Sequence, residues 1–422
     1  MEPQRRRLSP LWRHRDFLVF WGGQSFSQIG SRISREGLPL AAVLTLGASP
    51  MMMGWMQVIS ALPVIFLGLV VGVFMDRFPR KPFLIFTDVT RFAFLLIIPL
   101  AAVTGWLHMW VLFLAAAVMS ALDLVFTAAY ESYLPGFVGR PLLVDANTKL
   151  SITESFAEIV GPGLAGVLVQ LITAPMAVLL DSFSYLVSAV SIWSIGADEP
   201  SHAGRQASIH LRRDIRDGFR TIIHSPVLLS LTAASATSAI FSGIVFTMDV
   251  LFAIRTLHLG PALFGLTVTF GGVGAILGAS LTQRLIRRFG FGTLLVTSAF
   301  LDGLCGWFIP LAHGPVWMAT LYLIAAQLLG DLFGVMSGIL MSSLRQAVTG
   351  DAVLGRVNST VNLLSSTLSP AGSLLGAWIA TVVNLRIAMA VGVAGITVSA
   401  LWLVNPWILR VTDLPREDTQ ST

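Results

Sequence analysis

Charged residues are scarce in this sequence. Asp, Glu, Lys and Arg make up 12% of its 422 residues, whereas hydrophobic residues make up 55%. A typical soluble domain is about 25% charged, and a soluble chain of this length would form two or three such domains. No polar stretch is long enough to provide their surfaces, so the composition excludes an ordinary soluble protein. We expect a chain whose solvent is a lipid bilayer.

Cysteine and lysine are also nearly absent. Cys305 has no second cysteine to pair with, which excludes an intramolecular disulfide and a cysteine-based metal site. Of the 27 basic residues only Lys81 and Lys149 are lysines, so arginine provides almost all of the positive charge. Because these arginines lie between apolar segments, we interpret them as loop charges of a membrane protein and expect no nucleic-acid partner.

The sequence lacks the signatures of an enzyme. No nucleophile–base pair, histidine-rich metal cluster or ATP-binding loop is recognisable. The glycine-rich segment 271–278 lies inside an apolar stretch with no strand before it, which favours helix packing over nucleotide binding. We therefore expect no enzymatic activity, no cofactor and no metal site.

Twelve apolar segments are present instead, each near or above the roughly 20 residues that a helix needs to cross a bilayer. They predict an all-α membrane protein with twelve transmembrane helices. The predicted spans are 17–46, 51–75, 83–104, 108–130, 151–172, 175–197, 227–254, 260–281, 291–312, 315–340, 357–383 and 386–409.

The basic residues predict the orientation of these helices. If both termini are cytoplasmic, 22 basic residues fall in the termini and inner loops, and two, Arg255 and Arg386, fall on the outer side. Cytoplasmic loops of membrane proteins carry such an excess of arginine and lysine. We predict a multi-pass, monomeric protein of the cell membrane, the inner membrane of a bacterium, with both termini in the cytoplasm.

The longest loop divides the chain into two sets of six spans. Apolar residues recur at helical spacing among arginines in 210–224, which predicts an amphipathic helix on the inner membrane surface. We interpret it as a structural linker, with a regulatory or partner-binding role as the alternative. The predicted domains are an N-terminal six-helix bundle at 1–197, this linker at 198–226, a C-terminal six-helix bundle at 227–410 and a tail at 411–422.

An internal repeat links the two sets. The segment that starts at Ser132 matches the segment that starts at Ser343, with an offset that also places Gly139 on Gly350. Both segments follow a fourth span and precede a fifth. Two parallel halves are typical of a transporter that exposes a central site alternately to the two sides of the membrane.

The loop between the second and third spans carries a specific motif, GVFMDRFPRK at 72–81. It resembles the loop motif of the major facilitator superfamily. Segments GPGLAG at 161–166 and LLDSFSYL at 179–186 are similar to the branch that contains the macrolide exporters and the enterobactin exporter. The resemblance implies the major facilitator fold and a cytoplasmic gate. Its predicted members are Gly72, Asp76, Arg77, Arg80 and Lys81, with Asp123 as a partner.

Charged residues within spans are the candidate functional residues, because each costs roughly 2.5–3.5 kcal/mol at a helix centre. Four of the candidates lie on one polar face of the first span: Gln28, Arg32, Arg35 and Glu36. Arg32 and Glu36 are four residues apart and can pair. We predict a substrate or proton site on this face; the alternative is a self-neutralised pair at the outer rim.

The fifth span carries Glu154 and Glu158, which are also four residues apart. A carboxyl group in a partly dry cavity can take up and release protons near neutral pH. We predict Glu158 as the proton carrier and Glu154 as a residue of the cytoplasmic mouth; the alternative is an ion pair with a neighbouring arginine. A bend follows, with Gly161, Pro162, Gly163 and Gly166, and it resembles the antiporter motif of the superfamily.

The second half supplies Asp249, Asp302 and Asp331 as further candidates, whereas Asp88 with Arg91, and Asp181, are interpreted as structural. Together these observations predict a secondary transporter. We expect a proton-coupled exporter of an amphiphilic small molecule such as a drug, macrolide or siderophore, driven by a proton gradient. The alternatives are an uptake or lipid transporter of the same fold, and a membrane sensor that transports nothing.

Overall fold

The computed structural model describes residues 10–75, 79–196 and 211–411. Those residues are almost entirely helical, and no strand occurs among them. The α-helices are α1 (Arg15–Leu44), α2 (Pro50–Met75), α3 (Arg80–Val103), α4 (Met109–Val138), α5 (Leu143–Ile172), α6 (Ala174–Trp193), α7 (Leu211–His224), α8 (Pro226–Leu251), α9 (Pro261–Phe289), α10 (Phe291–Gly306), α11 (Phe308–Leu311), α12 (Val316–Val348), α13 (Asp351–Val382), α14 (Leu385–Ser399) and α15 (Pro406–Leu409).

Eleven segments of the described chain are helical, long and apolar enough to cross a membrane. They contain α2 to α6, α8, α9, α10 with α11, α12, α13 and α14. Helix α1 is not among these eleven, but its 30 residues exceed the length that a bilayer requires, as expected for the first of the twelve predicted spans. Its polar face lowers its hydropathy and sets it apart from the others. The predicted fold class, an all-α membrane protein with twelve spans, is confirmed.

Several helices extend beyond the spans that hydropathy predicts. Helix α4 continues to Val138 and α5 begins at Leu143, so most of the predicted loop 131–150 is helical. Each of these helices has 30 residues, or about 45 Å, whereas the hydrocarbon core is about 30 Å thick. The extra turns protrude from the apolar layer, where hydropathy carries no signal. Helix α4 ends where Gly139 adopts φ 78°, which a residue with a side chain rarely tolerates.

Three of the predicted spans are interrupted. Helix α10 ends at Gly306 and a short helix, α11, follows from Phe308. Pro310 accounts for the break between the two helices, since proline has no amide hydrogen to donate and its ring clashes with the preceding turn. The second interruption is a π-helix at Phe252–Thr256, which follows α8 directly. The third is in the predicted span 386–409, where a 3-10 helix at Ala400–Leu403 follows α14 and the chain leaves the helix before α15.

The chain forms two compact units. The first contains Met1–Leu46 and Leu62–Ala207, and the second contains Gly47–Ala61 and Ser208–Thr422. The start of α2 therefore clusters with the second unit, while its end belongs to the first. The linear domain boundaries given above stay a prediction.

Helices within each unit approach closely at glycines. In the first unit, a Cβ atom at Gly30 of α1 would collide with Ser184 of α6. In the second unit, a Cβ atom at Gly243 of α8 would strike the carbonyl oxygen of Ser369 in α13, and one at Gly372 of α13 would strike that of Ile240 in α8. Close approach at small residues is a common way to associate helices in lipid, where the hydrophobic effect between helices is absent.

The amphipathic helix predicted in 210–224 is present as α7, Leu211–His224, within the second unit. Ile222 of α7 packs with Val357 and Val361 of α13 in a small apolar cluster. Part of the apolar face of α7 is therefore covered by protein.

Candidate transport site

Arg32 of α1 and Glu158 of α5 form an ion pair in the first unit. The Nη1 atom of Arg32 lies 3.2 Å from Oε1 of Glu158. The arginine side chain is 17% exposed and the glutamate side chain is 60% exposed. An exposed carboxylate within a span must face a polar space, because lipid does not solvate it. The helical spacing suggested Glu36 as the partner of Arg32, but the structure pairs Arg32 with a different helix.

Gly161 explains how these two helices come together. A Cβ atom at this position would collide with the Cβ atom of Arg32, so only glycine leaves room for the arginine. Pro162 follows inside α5 and is buried, as is Gly166, whereas Gly163 is half-buried. The segment that resembles the antiporter motif therefore packs against α1 at the position of Arg32.

The other candidates on these helices are less enclosed. Gln28 and Glu36 are half-buried, and Arg35 is exposed. The carboxylate of Glu36 interacts electrostatically with Arg35 and Arg32. Glu154 is exposed and interacts electrostatically with Tyr130 of α4. The structure therefore gathers Arg32, Arg35 and Glu36 in one electrostatic group but leaves Glu154 near another helix.

A buried hydrogen-bond chain joins α1, α6 and α3. The side-chain amide of Gln24 donates to Oγ of Ser188 over 2.8 Å, and that hydroxyl donates to Oδ2 of Asp88 over 2.6 Å. Asp88 is fully buried, and Arg91 binds its other oxygen at 3.3 Å. The pairing of Asp88 with Arg91, predicted from their spacing, is confirmed. Ser188 was not among the predicted site residues.

Arg91 is the centre of this chain. Its Nη2 atom lies 2.7 Å from Oδ1 of Asp123 in α4. Its guanidinium lies over the rings of Phe126 and Tyr185, 4.6 and 5.1 Å from their centroids. The arginine is almost fully buried, whereas the Asp123 side chain is 60% exposed. Arg91 thus connects a buried carboxylate with one that reaches the surface of the unit.

Asp181 lies on the same side of α6, one turn before Tyr185. It is fully buried and accepts a hydrogen bond from Ser184 over 2.8 Å. Tyr185 forms a 2.9 Å hydrogen bond with Ser31 of α1. The signal that could have identified this polar face is the run of serines at 182, 184, 188 and 191, all of which are buried in α6.

The predicted gate is only partly described. Gly72 lies near the end of α2, and Asp76 and Arg77 lie outside the described residues. Arg80 is buried at the start of α3, and Nζ of Lys81 donates to the carbonyl of Ile195 over 2.6 Å, just beyond the end of α6. A cation at a helix C-terminus is favourable. Since the carboxylate of Asp123 binds Arg91, its proposed pairing with the gate loop stays a prediction.

The second unit has its own group of carboxylates. Gln327 of α12 donates to Oδ2 of Asp249 in α8 over 3.4 Å. Asp331, one turn further along α12, lies where a Cβ atom at Gly271 of α9 would strike its Oδ2 atom. Asp302 of α10 lies against Gly334 of α12 and interacts electrostatically with Asp331. Of the three predicted aspartates, Asp331 thus lies on α12, and Asp249 and Asp302 lie on helices that contact α12.

The chemistry available in these sites is ionic and polar. Each unit combines carboxylates with hydroxyl or amide groups, so it can bind protons, cations or polar parts of a small molecule. Among the described residues, no three His, Cys, Asp or Glu side chains are close enough together to hold a metal ion.

Comparison with known proteins assigns the chain to a family. Residues 6–421 match the family described as MFS_3, transmembrane secretion effector. The MFS-type transporter YfiS of Bacillus subtilis (strain 168) is 25% identical over 386 residues, which cover 88% of this chain and 89% of YfiS. The enterobactin exporter EntS of Citrobacter koseri is 26% identical over 304 residues, covering 69% and 68% of the two chains.

Solved structures show the same fold. A nucleoside transporter, NupG, has a TM-score of 0.76 at 11% identity and covers 92% of this chain and 98% of its own. A bacterial homologue of the iron transporter ferroportin, in its inward-facing state, has a TM-score of 0.76 at 14% identity, with coverages of 94% and 98%. At this identity the likeness concerns the fold alone.

Proposed function

The chain belongs to the transmembrane secretion effector family of the major facilitator superfamily, and on that premise we propose that it is a proton-coupled exporter of amphiphilic small molecules. It is a multi-pass membrane transporter and not an enzyme. The proposal concerns the direction of transport, the coupling ion and the class of substrate. The ion pair between Arg32 and Glu158 is the observation that carries it.

The ion pair provides a means of proton coupling. When Glu158 binds a proton its charge is lost, and the attraction that holds α5 against Arg32 is lost with it. A basic or hydrogen-bond-donating group of the substrate binds this carboxylate only while it is charged, and loses its partner when the proton arrives. Because the proton and the substrate compete for the same carboxylate, binding of one favours release of the other, which is what antiport requires.

Two observations support export of an amphiphile. The relative EntS is named as an exporter of enterobactin, and the matched family is described by secretion. The helix that carries Glu158 also contains the segment that resembles the antiporter motif, and Gly161 in that segment accommodates Arg32. We extend the proposal to a monomer in the cytoplasmic membrane of a bacterium, with both termini in the cytoplasm and a gate at 72–81.

The test uses everted membrane vesicles, in which an exporter fills the lumen. We expect vesicles with an acidic lumen to accumulate ethidium or labelled erythromycin, and E158Q to abolish this accumulation while exchange of labelled for unlabelled compound continues. A wild-type protein that ignores the pH gradient would refute proton coupling. Accumulation only in right-side-out vesicles would refute export and select uptake.

A further inference from the structure

Helix α7 has two faces of different character. One face is held against α13: Oδ2 of Asp217 lies 3.4 Å from Nη1 of Arg356, and Ile222 packs with Val357 and Val361. Thr360 lies beside this contact as well, since a Cβ atom at Gly218 would collide with its hydroxyl oxygen. These contacts hold this face of α7 against α13, so the opposite face points away from α13.

The opposite face carries Arg216, Phe219, Arg220 and Ile223, which we call the outward stripe. Their spacing of three, four and seven residues from Arg216 places them along one side of the helix. All four are exposed; Phe219 is 45% exposed and Ile223 is 53% exposed. The stripe thus alternates positive charge with large apolar side chains and contains no acidic residue.

The position of α7 along the chain places it beside the membrane. The helix ends at His224, and after Ser225 the spanning helix α8 begins at Pro226. The Oγ atom of Ser225 accepts from the amide of Leu228, so the two helices meet at a capped junction without a flexible linker. Since α8 enters the bilayer at this junction, α7 lies at the level of the lipid headgroups.

A surface of this composition at this level matches one partner. Arginine can keep its guanidinium among phosphates while its methylene groups stay in the apolar layer, and Phe and Ile side chains favour the acyl boundary. The surface of a soluble protein partner offers no such boundary between phosphate groups and an apolar layer. The loop that contains α7 is also predicted to be cytoplasmic, and the cytoplasmic leaflet is the one rich in anionic lipids.

We propose that the outward stripe of α7 is a docking site for anionic phospholipid headgroups, with Arg216 and Arg220 bound to phosphates and Phe219 and Ile223 inserted below them. This site is independent of the proposed transport direction and coupling. Lipid bound at the stripe could also affect α13, because Asp217 of α7 forms an ion pair with Arg356 of α13.

The single cysteine of the chain makes the test direct. In a C305S background, F219C labelled with an environment-sensitive fluorophore reports on the stripe in the full-length protein. In nanodiscs we expect brighter emission at shorter wavelength as phosphatidylglycerol replaces phosphatidylcholine. About 1 M salt should reverse the change, because it reduces the screening length to about 3 Å. Emission that is the same in both lipids would overturn the proposal.

Charge removal supplies the matched control. Adding R216Q and R220Q should weaken the apparent affinity of the stripe for phosphatidylglycerol by about fivefold for each arginine, so most of the response should be lost even at the highest phosphatidylglycerol fraction. R287Q with R288Q removes the same charge from two exposed arginines at the end of α9 and should leave the response unchanged. An equal loss in both pairs of variants would show a general charge effect and overturn the site. The salt reversal needs no charge variant, so it decides the question if R216Q/R220Q does not fold.

Discussion

The guanidinium of Arg91 lies 2.7 Å from the carboxylate of Asp123 and 3.3 Å from that of Asp88, so one buried cation binds two acids. The two acids differ in environment, because Asp88 is fully buried and the side chain of Asp123 is 60% exposed. Their ion pairs with Arg91 should therefore differ in their effect on stability.

R91Q should strongly destabilise the protein. It leaves Asp88 buried without its cation, a change that typically costs about 3–5 kcal/mol. D123N should cost far less, because Arg91 keeps its ion pair with Asp88 and an ion pair with an exposed carboxylate contributes little. Thermal unfolding of both variants in detergent tests this order. Equal shifts of the unfolding midpoint would contradict the buried position of Arg91.

S188A should remove one link of the buried hydrogen-bond chain. Asp88 then loses the hydrogen bond of the Ser188 hydroxyl, and Gln24 loses its acceptor. The expected loss of unfolding free energy is about 1–3 kcal/mol, the range for a buried polar group left unsatisfied. S194A is the control, since that hydroxyl only donates to a carbonyl three residues earlier near the end of α6. A midpoint shift no larger than that of S194A would argue against the chain.

G161A should disrupt the contact between α5 and Arg32. The added methyl group meets the arginine side chain, so either the helices separate or Arg32 leaves Glu158. We expect loss of transport and a lower unfolding temperature. G22A is the matched control, because nothing lies within 4 Å of a Cβ atom at Gly22 of α1. Normal transport by G161A would show that the close approach is not required.

A charge swap separates the structural and coupling roles of the ion pair. R32Q and E158Q should each reduce transport driven by a pH gradient. The double variant R32E/E158R should recover the folding stability lost in R32Q, because the attraction between α1 and α5 is restored. It should not recover gradient-driven transport, since the carboxyl group then lies on α1 instead of α5. Thermal unfolding measures the stability of each variant, and everted vesicles measure its transport. If the double variant recovered both in full, proton coupling would not depend on a carboxyl group at position 158.

Hydropathy and spacing predicted the parts of the structure that depend on local sequence. The spans follow from the length that a bilayer requires, and the pairing of Asp88 with Arg91 follows from helical spacing. An ion pair of the fifth-span glutamates with a neighbouring arginine was the stated alternative, and Glu158 makes one. That the arginine is Arg32 did not follow, because Glu158 is distant in sequence and no spacing rule compares two helices. The contact of Asp123 with Arg91 was missed for the same reason.

The packed serines of α6 illustrate a second limit. Ser184 and Ser188 do not stand out in a hydropathy profile. They matter because their hydroxyl groups donate hydrogen bonds to Asp181 and Asp88. Asp181 was interpreted as structural from its position in the chain, and the structure shows it fully buried. A residue's burial in a membrane protein depends on neighbouring helices, which composition alone does not reveal.

The glycines between α8 and α13 limit how the second unit can move. Where Gly243 meets the backbone of Ser369 and Gly372 meets that of Ile240, sliding one helix along the other would drive side chains into carbonyl groups. The two helices therefore resist sliding and should move together along their axes. Changes of shape within this unit then fall on the places where helical hydrogen bonding already changes, which include Pro370 within α13, the π-helix at Phe252–Thr256, the break after Gly306 and the 3-10 helix at Ala400–Leu403. A force on either end of this helix pair should be taken up at those places.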